Sequence, residues 1–280
     1  MKMRTIRKIV IGNKTQDGAG VKLVRVISRP DVEDFDPFLM LDAFDSDNPA
    51  DYLKGFPWHP HRGIETVTYL ISGDIEHGDS LGNKGSILDG CCQWMTAGGG
   101  ILHQEMPKAS KRMLGVQLWL NLPAKDKMTT PKYRDITAAM VPKIQEDGCI
   151  IGIIAGEYQG KLGATQGSHV KMTFLDVELQ AGAKWELITR EQDKLFIYLV
   201  AGSGWFEEAR QHLLAEKQAV LFNQGEKFVA FAADQGLRFL LFAGEPLAES
   251  IAWGGPIVMN TQKELEQAFR ELEEGTFIQK

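Results

Sequence analysis

The chain has 280 residues, 44% of them apolar, and a formal net charge of −6. That supports one large or two medium apolar cores, and the mixed charge with plentiful aromatics excludes a disordered chain. Extended basic runs are absent, so binding along a phosphate backbone is not the main task; a small-molecule pocket or a small protein patch fits better.

In chain order, the N-terminal MKMRTIRKIVIGNK carries too short an apolar stretch for a signal-peptide core, and no apolar run reaches the length of a membrane span. Asn13-Lys14-Thr15 matches a glycosylation sequon, which without a secretory signal reads as chance. Strand signals then dominate. Val21 to Ile27, Ile64 to Ile71, Leu114 to Leu120, Val170 to Leu179, Phe196 to Val200 and Leu237 to Ala243 are rich in β-branched and large apolar residues. From Leu114 to Leu120 an apolar residue falls on every second position, and Trp119 is the one large apolar side chain on the other face. Turn residues punctuate at short intervals, as at Ser72-Gly73-Asp74, Asp89-Gly90 and Gly202-Ser203-Gly204. This pattern predicts an all-β fold of sandwich or barrel type.

Residues 121–147 hold Pro123, Pro131 and Pro142 and many charges, and read as a crossover between two β domains, expected over 1–130 and 131–280. The stretch from Gly182 to Gly204 has the layout found around Gly73. Aligned on Gly202 and Gly73, His59 and His61 correspond to Ile188 and Arg190. The second half is therefore expected to repeat the fold without repeating its polar pair, in a structural role. Near the end, Thr261 and Glu264 form a capping box. Leu265, Ala268, Phe269 and Leu272 follow at helical spacing, and Gly275 marks the stop. The apolar stripe of this helix is expected to pack on the outside of a sheet.

The three cysteines, Cys91, Cys92 and Cys149, are an odd number without zinc spacing. They predict reduced thiols in a cytoplasmic protein. Cys91 and Cys92 read as small core residues.

Two short pairs carry the chemistry. His59-Pro60-His61 and His103-Gln104-Glu105 each place donors at i and i+2, on one face of an extended segment. A sheet that joins them offers three imidazoles and one carboxylate to a single point, a donor set for a divalent transition metal. Three of only six histidines fall in this arrangement. Taken singly, His59 reads as an exposed loop histidine and His103 as a satisfied core histidine. The four residues together point to a metal. Pro60 lacks an N–H, which places its segment at a strand end or edge and stiffens it. Gly98-Gly99-Gly100 permits close backbone approach just before the second pair. With no thiolate, structural zinc is disfavoured. Four ligands on an octahedral ion leave two positions open, as in non-haem Fe(II) sites with one more histidine. Fe(II) is the first expectation, with Mn, Ni, Co, Cu and Zn open. Glu65 lies i+4 from His61 on an alternating strand, so spacing leaves it open as a ligand. His77 and Asp79 alternate on an expected strand; a role in supporting the ligands competes with the plainer reading of a hydrogen-bonded loop start.

Long motifs then resemble the pirin family of the cupin superfamily. These are the runs from Gly55 to Leu70 and from Gln93 to Pro107, with Asp36-Pro37-Phe38-Leu39, His77 to Asn83 and Gly255 to Thr261. The resemblance runs nearly end to end. It implies two cupin β-sandwich domains, a bicupin, with one metal, usually iron, in the N-terminal domain. The family's ligands carry over to His59, His61, His103 and Glu105. Cupins in general often use a glutamate shortly after the His-x-His pair, which here is Glu65, but in pirins the carboxylate comes from the second motif. Bacterial pirins resemble quercetin 2,3-dioxygenases, which implies O2-dependent cleavage of a flavonol with loss of carbon monoxide. Glu105 is then the expected proton acceptor. Phe56, Trp58, Met95 and Met106 are candidate pocket walls, about half of which should prove to be ordinary core. Eukaryotic pirins suggest a different role, an iron-dependent redox-sensing regulator that binds a protein partner. A weaker third reading is a zinc or manganese isomerase. A monomer is expected, with no direct contact to nucleic acid or membrane, and Arg62 is expected in a structural ion pair.

Overall fold

The structure, a computed structural model, describes residues 1–278. It is all-β apart from one long helix and a few short helical turns. No helix among the described residues is long and apolar enough to cross a membrane. The chain divides into two compact units, and they do not follow a split at residue 130. The first unit takes Asn13–Glu33, Phe38–Ala138 and the chain from Leu247 onward; the second takes Met1–Gly12, Asp34–Pro37 and Ala139–Pro246. The expected crossover is itself partly strand. Lys132–Ile136 pairs with Cys92–Thr96 in the first unit, and Lys143–Glu146 pairs with Cys149–Ala155 in the second. Its prolines fall outside both strands, so the ladders survive.

In the first unit, seven antiparallel strands form one sheet. Their order is Lys132–Ile136, Cys92–Thr96, Ile64–Ser72, Met113–Asn121, Phe38–Ser46, Val21–Ile27 and Asn13–Asp17. A four-stranded sheet, ordered Phe56–His61, Ile101–Pro107, Ile75–Asp79 and Lys84–Ile87, faces it. Phe56–His61 is an edge strand of that sheet, which is where Pro57 and Pro60 are tolerated. Apolar clusters built on Leu70, Ile75 and Met113, and on Ile64, Met95 and Ile101, close the sandwich.

The final helix, Gln262–Glu273, packs within this first unit. The capping box is present: Glu264 N–H donates to Thr261 Oγ1 at 3.2 Å, and Thr261 N–H donates to Glu264 Oε2 at 2.8 Å. Leu265 and Ala268 are buried with Ile257, Met259 and Phe277, beside the short hairpin of Ala252–Gly254 and Ile257–Met259. Phe269, expected in the same stripe, stays 38% exposed.

The second unit is a nine-stranded sheet arrangement. Its central strand, Lys227–Gly244, is 18 residues long and pairs with Met172–Leu179, Lys184–Ile188 and Lys194–Trp205. Its interior is filled by Trp185, Phe206, Phe222, Phe228 and Phe239 with aliphatic neighbours. Ile188 is 58% exposed, and Arg190 is engaged with Asp193 and Glu245.

Candidate metal centre

The two histidine pairs meet because their strands are neighbours. His103 is the direct register partner of His59, and Ile101 of His61. A register shift between His103 and Glu105 then aligns Glu105 with Phe56. On strand Ile101–Pro107 every second residue is buried, so His103 and Glu105 both point inward. On the other side of that strand, His103 pairs with Asp79 and Glu105 with His77. The rings of His59 and His103 lie 4.3 Å apart, and those of His61 and His103 4.9 Å apart. One nitrogen from each of the three histidines falls within 4.8 Å of the others.

Backbone carbonyls fix the tautomers of two of them. His59 Nδ1 faces Pro57 O at 2.8 Å, and His61 Nδ1 faces Pro256 O at 3.2 Å. A carbonyl only accepts, so each Nδ1 carries the proton and donates it, which leaves each Nε2 a lone pair. Those two Nε2 atoms stand 3.1 Å apart. Two cis ligands about 2.1 Å from one ion would be about 3 Å apart. His103 supplies the second test: both of its ring nitrogens are buried without a hydrogen-bond partner. Leaving a buried polar atom unpaired costs about 1–3 kcal/mol, a cost that an ion bound to the lone pair offsets. Burial, and then the neighbouring His59, lowers the His61 pKa to about 3. Burial, with His61 next, holds His103 well below its ordinary range. Neutral imidazole is the ligating form, so burial readies His61 and His103 for a metal, and the Pro57 carbonyl leaves the His59 Nε2 lone pair free for the same ion.

Glu105 is not part of the three-histidine group here. Its carboxylate is held by Thr68, whose hydroxyl donates to Oε1 at 3.0 Å, and by Gln117, whose amide donates to Oε2 at 2.7 Å. Glu65 is fully buried on the opposite side of its strand from Thr66 and Thr68, and accepts from the Thr96 hydroxyl at 2.6 Å. Alternation thus turns Glu65 away from the histidines, a point that i+4 spacing left open. His77 is buried between Asp79, 3.2 Å from Nε2, and Gln93, 2.6 Å from Nδ1, with its ring stacked on Tyr133. Asp79 also does what the plainer reading expects, accepting from the Leu81 and Asn83 amides at 2.9 and 3.0 Å.

Several contributors were not legible as site residues. Residues 247–278 bring Val258 and Phe277 against both ligand loops. A Cβ at Gly63 (φ +76°) would sit 1.9 Å from Val258 O, and one at Gly100 (φ +138°) 2.8 Å from Phe277 O. Glycine permits both approaches. Lys127 Nζ ties Gly63 O to Val258 O, at 2.8 Å each. Arg62 makes the expected ion pair, with Glu271 at 2.6 Å, and donates to Phe277 O at 2.8 Å. This segment brings the Pro256 carbonyl to His61 and sets Trp253 beside Trp119 at 5.9 Å.

A cavity of about 610 Å³ opens beside His59 and His61. Phe56, Trp58, Trp119 and Trp253 supply aromatic wall, and Gln117, Asp42 and Arg25 supply polar wall. Met95 and Met106 do not line it; Met95 is core. Gln117 and Trp119 are the off-face positions of the strand whose other face is regularly apolar. An amide on such a position was the one available signal that this face is not ordinary core.

Comparisons agree with this architecture. The Pirin family profile matches residues 20–120, and the profile for the Pirin C-terminal cupin domain matches residues 174–278. A Pseudomonas aeruginosa protein named "putative quercetin 2,3-dioxygenase" is 41% identical over 97% of each chain. A pirin-like protein of Caulobacter vibrioides is 40% identical over 99% of this chain and all of its own. The crystal structure of a quercetin 2,3-dioxygenase from Acinetobacter baumannii superposes with a TM-score of 0.88 at 33% identity over 98% of each chain.

Proposed function

This chain belongs to the pirin family, and from that premise we propose that it is a metal-dependent dioxygenase, cleaving flavonols such as quercetin with O2 and releasing carbon monoxide. The observation that carries this reading is the convergence of three imidazoles, beside a buried carboxylate, at an aromatic-walled cavity. Similarity to proteins named for quercetin dioxygenation supports it.

His59, His61 and His103 would hold one divalent metal, Fe(II) before Mn, Ni, Co, Cu or Zn, with Glu105 adjacent as a fourth donor. When bound, the metal supplies Lewis acidity that lowers the pKa of a flavonol hydroxyl. Glu105 takes that proton, with Thr68 and Gln117 aiming its carboxylate. The aromatic walls hold the planar rings by stacking and exclude water from the electron-rich substrate anion. The Pro57 and Pro256 carbonyls keep the His59 and His61 lone pairs in position.

The test is aerobic turnover of quercetin by protein of assayed metal content. Carbon monoxide release should scale with metal, vanish in His103→Ala and fall at least about 100-fold in Glu105→Gln. Fully metallated protein that releases none would remove this reading and favour a redox-responsive binding protein.

A further inference from the structure

The seven-stranded sheet aligns one polar side chain from every strand. Asp135 is paired with Gln93, Gln93 with Thr68, Thr68 with Gln117, Gln117 with Asp42, Asp42 with Arg25, and Arg25 with Asn13. Direct register partners share a face, so these residues form a single row across the sheet. The row faces the histidines, since Gln93 reaches His77 and both Thr68 and Gln117 reach Glu105. Asn13 and Asp135 at its two ends are exposed, but Gln93, Thr68, Gln117 and Asp42 are buried, and interior polar groups cost stability unless they are paired, so this run calls for a use beyond packing. Its middle already has one, in holding Glu105. Its far end, at Asp42 and Arg25, does not.

That end lines the cavity together with Asp17. Arg25 donates from Nε to Asp42 Oδ1 at 2.9 Å and from Nη2 to Asp42 Oδ2 at 2.7 Å. Nη2 also reaches Asp17 Oδ2 at 2.6 Å. Nη1 makes no hydrogen bond to a described residue. Two carboxylates against one guanidinium leave a net negative charge, which disfavours an anionic ligand. Carboxylate oxygens beside an unused N–H suit a group that both donates and accepts, and a hydroxyl does both. Arg25 stands two strand spacings from Gln117, about 10 Å, which is the reach of a rigid molecule of two or three aromatic rings.

We infer that Arg25, Asp42 and Asp17 form the distal specificity end of the cavity and read a phenolic hydroxyl on the part of a planar substrate farthest from the histidines. This rests on the flavonol reading and adds to it a requirement for a remote hydroxyl.

The experiment compares quercetin with 3-hydroxyflavone, which keeps the reacting hydroxyl and lacks the others. Two readouts are taken on the metallated protein: the ratio of kcat/KM values in air, and the ratio of Kd values without O2, from quenching of tryptophan fluorescence. The wild type should prefer quercetin about 10-fold or more in both, as a charged hydrogen bond implies. Arg25→Met/Asp42→Leu removes the pair without stranding a buried charge, and should bring both ratios to within about threefold of one. Asp17→Asn, at an exposed position, should lower them about two- to fivefold and keeps the test open if the double variant does not fold. Unchanged ratios in Asp17→Asn and in any folded double variant would overturn the assignment while leaving the dioxygenase standing. Loss of the Kd preference in a protein that turns over neither flavonol would uphold the assignment and sink the dioxygenase.

Discussion

The two units run rows of register partners through their interiors, and the rows differ in chemistry. In the second unit Ile153, Leu175, Leu241, Ile197 and Val220 stand side by side and are buried in one core. In the first, the corresponding direction carries Gln93, Thr68, Gln117, Asp42 and Arg25. The same kind of sheet is thus a solid core in one unit and one wall of a chemical cavity in the other. Only the inward residue type differs. The polar row persists because most of its buried groups find partners within the site, although Gln93 Oε1 has none. Gln117 donates to Thr68 at 3.1 Å as well as to Glu105, and it accepts from Trp119 at 3.4 Å. Beside the row, His103 has both ring nitrogens buried and unpaired, which marks the proposed metal position.

Exchanging residue types between the rows tests this comparison. The largest effect is expected from Leu241→Gln, which puts an amide among aliphatic neighbours with no partner. The lost burial and the stranded amide together should cost about 3–5 kcal/mol, read from urea unfolding. A cost below about 1 kcal/mol would mean that the second interior is not the sealed core described here. Next, Gln117→Leu leaves Glu105 Oε2 without its donor. It should cost about 1–3 kcal/mol and lower flavonol turnover about 10–100-fold, with bound metal unchanged. Turnover unchanged from wild type would remove Gln117 from the site. The smallest effect should come from Thr261→Ala, which loses the helix cap for about 1 kcal/mol. In calorimetry that loss should appear in the transition that added metal raises, because helix and histidines share a unit. A shift confined to the metal-independent transition would contradict that assignment.

Local chemistry in the sequence was legible where spacing alone decides geometry. The i, i+2 pairs put His59 beside His61 and His103 beside Glu105 on inward faces, and Pro60 located the edge strand. Thr261 and Glu264 located the helix start. What stayed hidden depends on register between distant strands. Nothing local says that Gln117 stands opposite both Thr68 and Asp42, so the polar row looks like scattered residues. The bulge between His103 and Glu105 and the Gln117 amide decide where the Glu105 carboxylate points, and neither is encoded within its own motif. The return of residues 247–278 to the first unit was also invisible. Gly63 and Gly100 are its footprints, since each is approached by a carbonyl of that segment.

The most direct test of the account is metal stoichiometry after anaerobic loading with Fe(II) and desalting, in wild type and in His103→Ala with its fold checked by circular dichroism. The account predicts one ion per wild-type chain and none in the variant. An ion retained by folded His103→Ala, or two ions per wild-type chain, would show that the three histidines are not the single metal centre described here.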